Sequence, residues 1–89
     1  MNEKLRYPAR TVMKIIATAH QDNTSEEMLQ KDIERVFHGL LLTPKDWRHR
    51  RSRQGTYVSY TTTVYIQNKE QLKNLYEKLL AMPQVKQVL

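Results

Sequence analysis

The chain has no cysteine, so no disulfide and no thiolate-held metal can supplement its core, and thiol redox chemistry is excluded. With only two glycines and three prolines among 89 residues, it lacks the composition of a disordered or low-complexity polymer. No stretch approaches the roughly 18 apolar residues of a membrane-crossing helix. Residues Met1 to Arg10 lack the apolar segment of a secretory signal, which leads to the expectation of a cytoplasmic protein that does not engage membranes. Recognisable chemistry is scarce as well. His20, His38 and His49 fall on three different expected elements, with no second ligand at metal-binding spacing and no carboxylate or nucleophile at a suggestive interval. The expectation is a chain with no catalytic residue, no metal, no cofactor and no enzymatic activity.

What is present is enough for one core and no more, since a chain this short removes only about 60 to 65% of its unfolded surface from water. Residues 1–9 are polar apart from Leu5 and Tyr7 and are interrupted by Pro8; they are expected to form a flexible leader ahead of a single domain spanning 10–89. From Thr11 to His20, Met13, Ile15, Ala17 and Ala19 alternate with Val12, Lys14, Ile16 and Thr18, the period of a strand. Thr24 with Glu27 three positions on makes a capping box. Leu29, Ile33, Val36, Phe37 and Leu40 then recur at helical spacing, and Thr43-Pro44 ends the run. Lys45 to Ser52 is polar but alternating, as suits an edge strand whose charge discourages pairing with other chains. Gly55 supplies a turn, and Thr56 to Gln67 has the strongest β-propensity in the chain, so the two segments predict a hairpin. Asn68 with Gln71 caps a second amphipathic helix carrying Leu72, Leu75, Tyr76, Leu79 and Leu80, which stops before Pro83, and Gln84 to Leu89 reads as a short last strand. The order βαββαβ predicts an α+β, ferredoxin-like sandwich: a four-stranded antiparallel sheet with two helices on one face.

Ser52, Gly55, Tyr57 and Ser59, followed by Leu75-Tyr76, Leu79, Val85 and Val88-Leu89, resemble the YbeD-type family of small bacterial proteins, and Met13-Lys14-Ile15 is similar to that family's first strand. The resemblance covers roughly half the chain well and implies a ferredoxin-like fold akin to ACT-type regulatory domains, in a family with no established activity. Two departures matter. The run from Arg48 to Arg53 is more basic than the family pattern, and the loop Gln21 to Thr24 has no glycine, unlike ACT domains whose backbone approaches an amino acid there, which argues against amino-acid sensing. Acylphosphatases share this fold, but their glycine-rich phosphate loop between the first strand and first helix is missing.

Two surfaces remain as candidates. If the helices cover Met13, Ile15, Ala17, Val58, Tyr60, Val64 and Ile66, then Val12, Ile16, Tyr57, Ser59, Thr61, Thr63 and Tyr65 are left on an open sheet face. Tyr57, Ser59, Thr61 and Tyr65 there are the candidate contacts for a protein partner or a second copy of the chain, the plainer alternative being an ordinary solvated sheet face. The net charge of +6 is concentrated in the second strand and the turn after it. Arg48, Arg50, Arg51 and Arg53 with Trp47 are the alternative site, for RNA or DNA, unless they are only a solubilising edge. The leading functional expectation is a non-enzymatic binding or regulatory module acting through the open sheet face or an edge; nucleic-acid binding by the basic hairpin is the alternative.

Overall fold

The alternation of apolar and polar residues along two long strands decides the architecture, because it gives one sheet face to the core and leaves the other without cover. The structure, a computed structural model, describes residues 6–19 and 26–89. Its elements are β1 (Ala9–Thr18), α1 (Glu26–Gly39), β2 (Lys45–Arg51), β3 (Tyr57–Ile66), α2 (Lys69–Leu80) and β4 (Val85–Val88). The strands form one antiparallel sheet in the order β2-β3-β1-β4, the ferredoxin-like arrangement. β1 begins at Ala9, two residues before the expected Thr11, and Tyr7 ahead of it packs against the core. His20 and the expected Thr24 cap lie outside the described residues.

Met13, Ile15 and Ala17 of β1 and Val58, Tyr60, Val64 and Ile66 of β3 are buried against Leu29, Ile33 and Phe37 of α1 and Leu72, Leu75 and Leu79 of α2. This is the face that alternation assigns to the helices. β2 sits at the edge and places no fully buried residue in the core; its contribution is Trp47, which meets Phe37 and Tyr60 edge-on at centroid distances of 5.9 and 6.5 Å. The Tyr60 hydroxyl donates to the Glu26 carbonyl (2.7 Å), tying the start of α1 to the middle of the sheet.

The helix ends follow local chemistry. Asn68 accepts the Gln71 N–H at 2.8 Å, and the Gln71 side chain in turn accepts the Gln67 N–H, closing the start of α2. At the end of α1, the N–H of Leu42 donates to the Phe37 carbonyl and that of Leu41 to the His38 carbonyl, the Schellman pattern. The residue this motif holds in the left-handed region is Leu41 (φ 61°), not a glycine, and its side chain is 92% exposed while Leu42 tucks into the core.

The second irregularity shapes the site. Lys45 pairs with Thr63 but Arg48 pairs with Thr61, so Asp46 and Trp47 together oppose Thr62: a β-bulge, with Asp46 at φ 56°. The buried Thr62 hydroxyl donates to the Lys45 carbonyl at 2.7 Å and pins the bulge. Asp tolerates the left-handed region better than most residues, which fits it to this position.

Candidate functional site

Cross-strand register assembles the open face row by row. Arg50 pairs with Ser59, which pairs with Ile16, which pairs with Gln87; Arg48 pairs with Thr61, and Thr61 with Lys14. Further along, Lys45 lies beside Thr63 and Thr63 beside Val12, and Tyr65 lies beside Arg10; at the opposite end Tyr57 lies beside Thr18. All four residues expected to contact a partner, Tyr57, Ser59, Thr61 and Tyr65, are on this face, with the two tyrosines 45% and 53% exposed at its two ends.

The basic residues do not stay together. Arg48 and Arg50 lie on the open face, and Arg53 lines its edge near Tyr57. Arg51 pairs with Val58 on the helical side. Its guanidinium binds Glu26, Nη2 to Oε1 at 2.6 Å and Nε to Oε1 at 2.8 Å. Trp47, the expected stacking ring for a base, is committed to Phe37 and Tyr60 beneath the sheet. Simple alternation through β2 would group Lys45 with Trp47, His49 and Arg51, but the bulge sets it opposite Thr63 on the open face. Lys14 and Arg10 come from β1 to join it. Their parity with Ile16 and Val12 could have announced them, but attention to the arginine run hid residues that are distant in sequence.

The result is a strip of small hydroxyls, Ser59, Thr61 and Thr63, between cations on the flanking strands: Arg10 and Lys14 on one side, Lys45, Arg48 and Arg50 on the other. Each of these five cations is exposed, and among the described residues none has a carboxylate within ion-pair distance. Three open hollows follow the strip, of about 620 Å³ beside Tyr57, 530 Å³ around Arg48 and 290 Å³ between Arg10 and Lys45. Among the described residues the one carboxylate that lines any of them is Asp46, at the bulge. Long side chains flanking short ones on a flat sheet make a shallow trough, with cations along both of its rims and the Asp46 carboxylate at the bulge.

The perturbed ionisable groups lie on the other side. The Glu26 carboxyl is held below its usual range, first by its backbone N–H and then by Arg51. Burial, followed by the charge of Glu26, pushes the Tyr60 phenol up to about 12. Both groups hold α1 on the sheet. Among the described residues no three His, Asp or Glu side chains gather as a metal site, and no helix is long and apolar enough to cross a membrane.

Comparison with known proteins agrees with this fold. The chain resembles the ACT domain of a GTP pyrophosphokinase from Chlorobium tepidum (TM-score 0.66, 12% identity, 90% of this chain and 94% of that one). It also resembles the solution structure of protein HP0495 from H. pylori (TM-score 0.72, 16% identity, 99% and 88%). At those identities the likeness is one of fold. A curated UPF0250 protein from Shewanella piezotolerans (strain WP3 / JCM 13877) is 32% identical over 90 residues, covering 99% of this chain and 93% of the relative. The model of the family described as "Protein of unknown function (DUF493)" matches residues 2–89. The YbeD-type resemblance of the second half thus extends over the full length, and the chain belongs to the DUF493 family.

Proposed function

We propose that this chain is a regulatory binding module that performs no chemistry of its own and docks an anionic partner on its open sheet face. The observation that supports this most is the set of five exposed cations, Arg10, Lys14, Lys45, Arg48 and Arg50, which face outward from two strands, β1 and β2, with no internal carboxylate partner among the described residues. Unneutralised like charges on one surface cost stability, so a fold that keeps them together favours binding an opposite charge. The helical layer carries both signs, with Glu26, Glu27, Asp32, Glu34, Glu70 and Glu77 interspersed among Lys31, Arg35, Lys69, Lys73 and Lys78, and offers no such field. The same argument disfavours a face-to-face pair of copies, because it would set one cationic trough against another. The ACT-like fold is consistent with a role in regulation, and Tyr57 and Tyr65 add contact area at small entropic cost.

Immobilised heparin, a polyanion with no sequence, tests the face. The wild-type chain is expected to elute at distinctly higher salt than the triple variant Lys14→Gln, Arg48→Gln, Arg50→Gln. A second triple variant, Lys31→Gln, Lys73→Gln, Lys78→Gln, makes the same change in net charge on the helices and should elute close to wild type. Equal displacement of the two variants would mean that net charge alone governs retention, and the open-face reading would fall.

A further inference from the structure

The trough has a length, a floor and two ends, and together they narrow the partner. We propose that it binds single-stranded nucleic acid, lying along β3 with its phosphates on the flanking cations and bases stacked on Tyr57 and Tyr65; this rests on the anionic-partner reading above. From Tyr57 to Tyr65 is eight residue-to-residue steps along one strand. At about 3.3 Å per residue that spans roughly 26 Å, room for about four nucleotides, at the low end of site sizes known for single-strand binders.

Three observations favour this occupant over the other polyanions. The first is the aromatic content: an exposed tyrosine stands at each end of the trough, and a stacked ring serves any base whatever its sequence. An acidic peptide would need apolar anchor pockets; β3 lines the floor with hydroxyls at Ser59, Thr61 and Thr63, and the aliphatic side chains of this face, Val12 and Ile16, stand apart on β1 with Lys14 between them. The second is the cation type. Arg10, Arg48 and Arg50 can each fork two N–H groups onto one phosphate, while Lys14 and Lys45 serve as point charges. The third is shape. Among the described residues no helix or ribbon projects from this face, and a duplex is read by elements that enter its groove, so the flat trough suits a strand whose bases are already free.

Fluorescence anisotropy on the full chain separates the possibilities, using labelled oligouridylate and oligothymidylate of roughly eight nucleotides. A poly-glutamate peptide of matching charge and a short duplex serve as the other probes. Both single strands are expected to bind, and three or four phosphate contacts should weaken binding by about 20- to 50-fold between roughly 50 and 200 mM salt. Tyr57→Ala should lower affinity about 5-fold or more while Tyr57→Phe keeps it, the signature of stacking. Preference for one of the two strands would assign the natural ligand to RNA or to DNA. Poly-glutamate binding as tightly as the oligonucleotides, or Tyr57→Ala without effect, would overturn the nucleic-acid assignment and leave an acidic docking face. Binding of none of the probes would remove both readings. Circular dichroism on each variant confirms that the exposed substitutions leave the fold intact.

Discussion

The two faces of one sheet, built from alternate residues of the same strands, have opposite compositions. Along β3 the covered face carries Val58, Tyr60, Thr62, Val64 and Ile66, all at most 1% exposed, and the open face carries Tyr57, Ser59, Thr61, Thr63 and Tyr65. The first set is committed to packing, and it also absorbs the perturbed ionisable groups: Tyr60 and Glu26 bind each other, and Arg51 closes over Glu26. Among the described residues the second set makes one such side-chain contact, the Ser59 hydroxyl donating to the Arg50 carbonyl at 3.4 Å. Packing falls to one face of these strands and, on the proposed function, recognition to the other, so substitutions on one face should leave the other's property largely unchanged.

The largest expected effect is on the covered face. Phe37→Ala removes the ring that Trp47 packs against at the α1 terminus and should cost about 3 to 5 kcal/mol in chemical denaturation, a large share of the stability of a chain this size. Next comes a dependence on pH. Because the Tyr60 phenol is pushed up to about 12 from its ordinary value of 10.0, the folded state keeps its proton where the unfolded state loses it. Its contribution is full below pH 10.0 and is lost as pH rises toward 12, by up to about 2 kcal/mol. Tyr60→Phe should lower stability at neutral pH by about 1 kcal/mol and flatten that alkaline fall, read from denaturation midpoints across the range. Thr62→Val tests a threonine buried on this face: leaving the Lys45 carbonyl without its hydroxyl donor should cost about 1 kcal/mol. The smallest effect sharpens the contrast. Arg48→Gln with Arg50→Gln on the open face should change stability by no more than about 0.5 kcal/mol, while removing most retention on heparin.

Much of this division is legible in the sequence. Strict alternation in β1 and β3 reveals which residues face the helices, and the Asn68 cap and the turn glycine Gly55 (φ 74°) appear where the pattern places them. The limits have physical causes. The arginine run looks like a single cluster in sequence, but a strand sends neighbours to opposite faces, so Arg51 and Trp47 leave Arg48 and Arg50. Lys45 required knowledge of the bulge, whose trace in sequence is only an aspartate, a residue at ease in the left-handed region. Lys14 and Arg10 join the site through β1–β3 pairing, which local patterning does not specify. Leu41 is a further departure, since glycine is the usual residue at its place in the helix-ending motif.

The bulge also bears on chain length. Asp46 is a spare link: two residues stand where the partner strand spends one, so the parity of β2 switches at the bulge and Lys45 shares the open face with Arg48 and Arg50. Removing Asp46 would straighten β2 and still leave Lys45 opposite Thr63, whereas losing a residue between Arg48 and Arg51 would shift the pairing of the remaining strand and turn cations toward the helices. Deletions two or three positions apart in β2 therefore have unequal consequences, and a relative one residue shorter at the bulge would present the same trough.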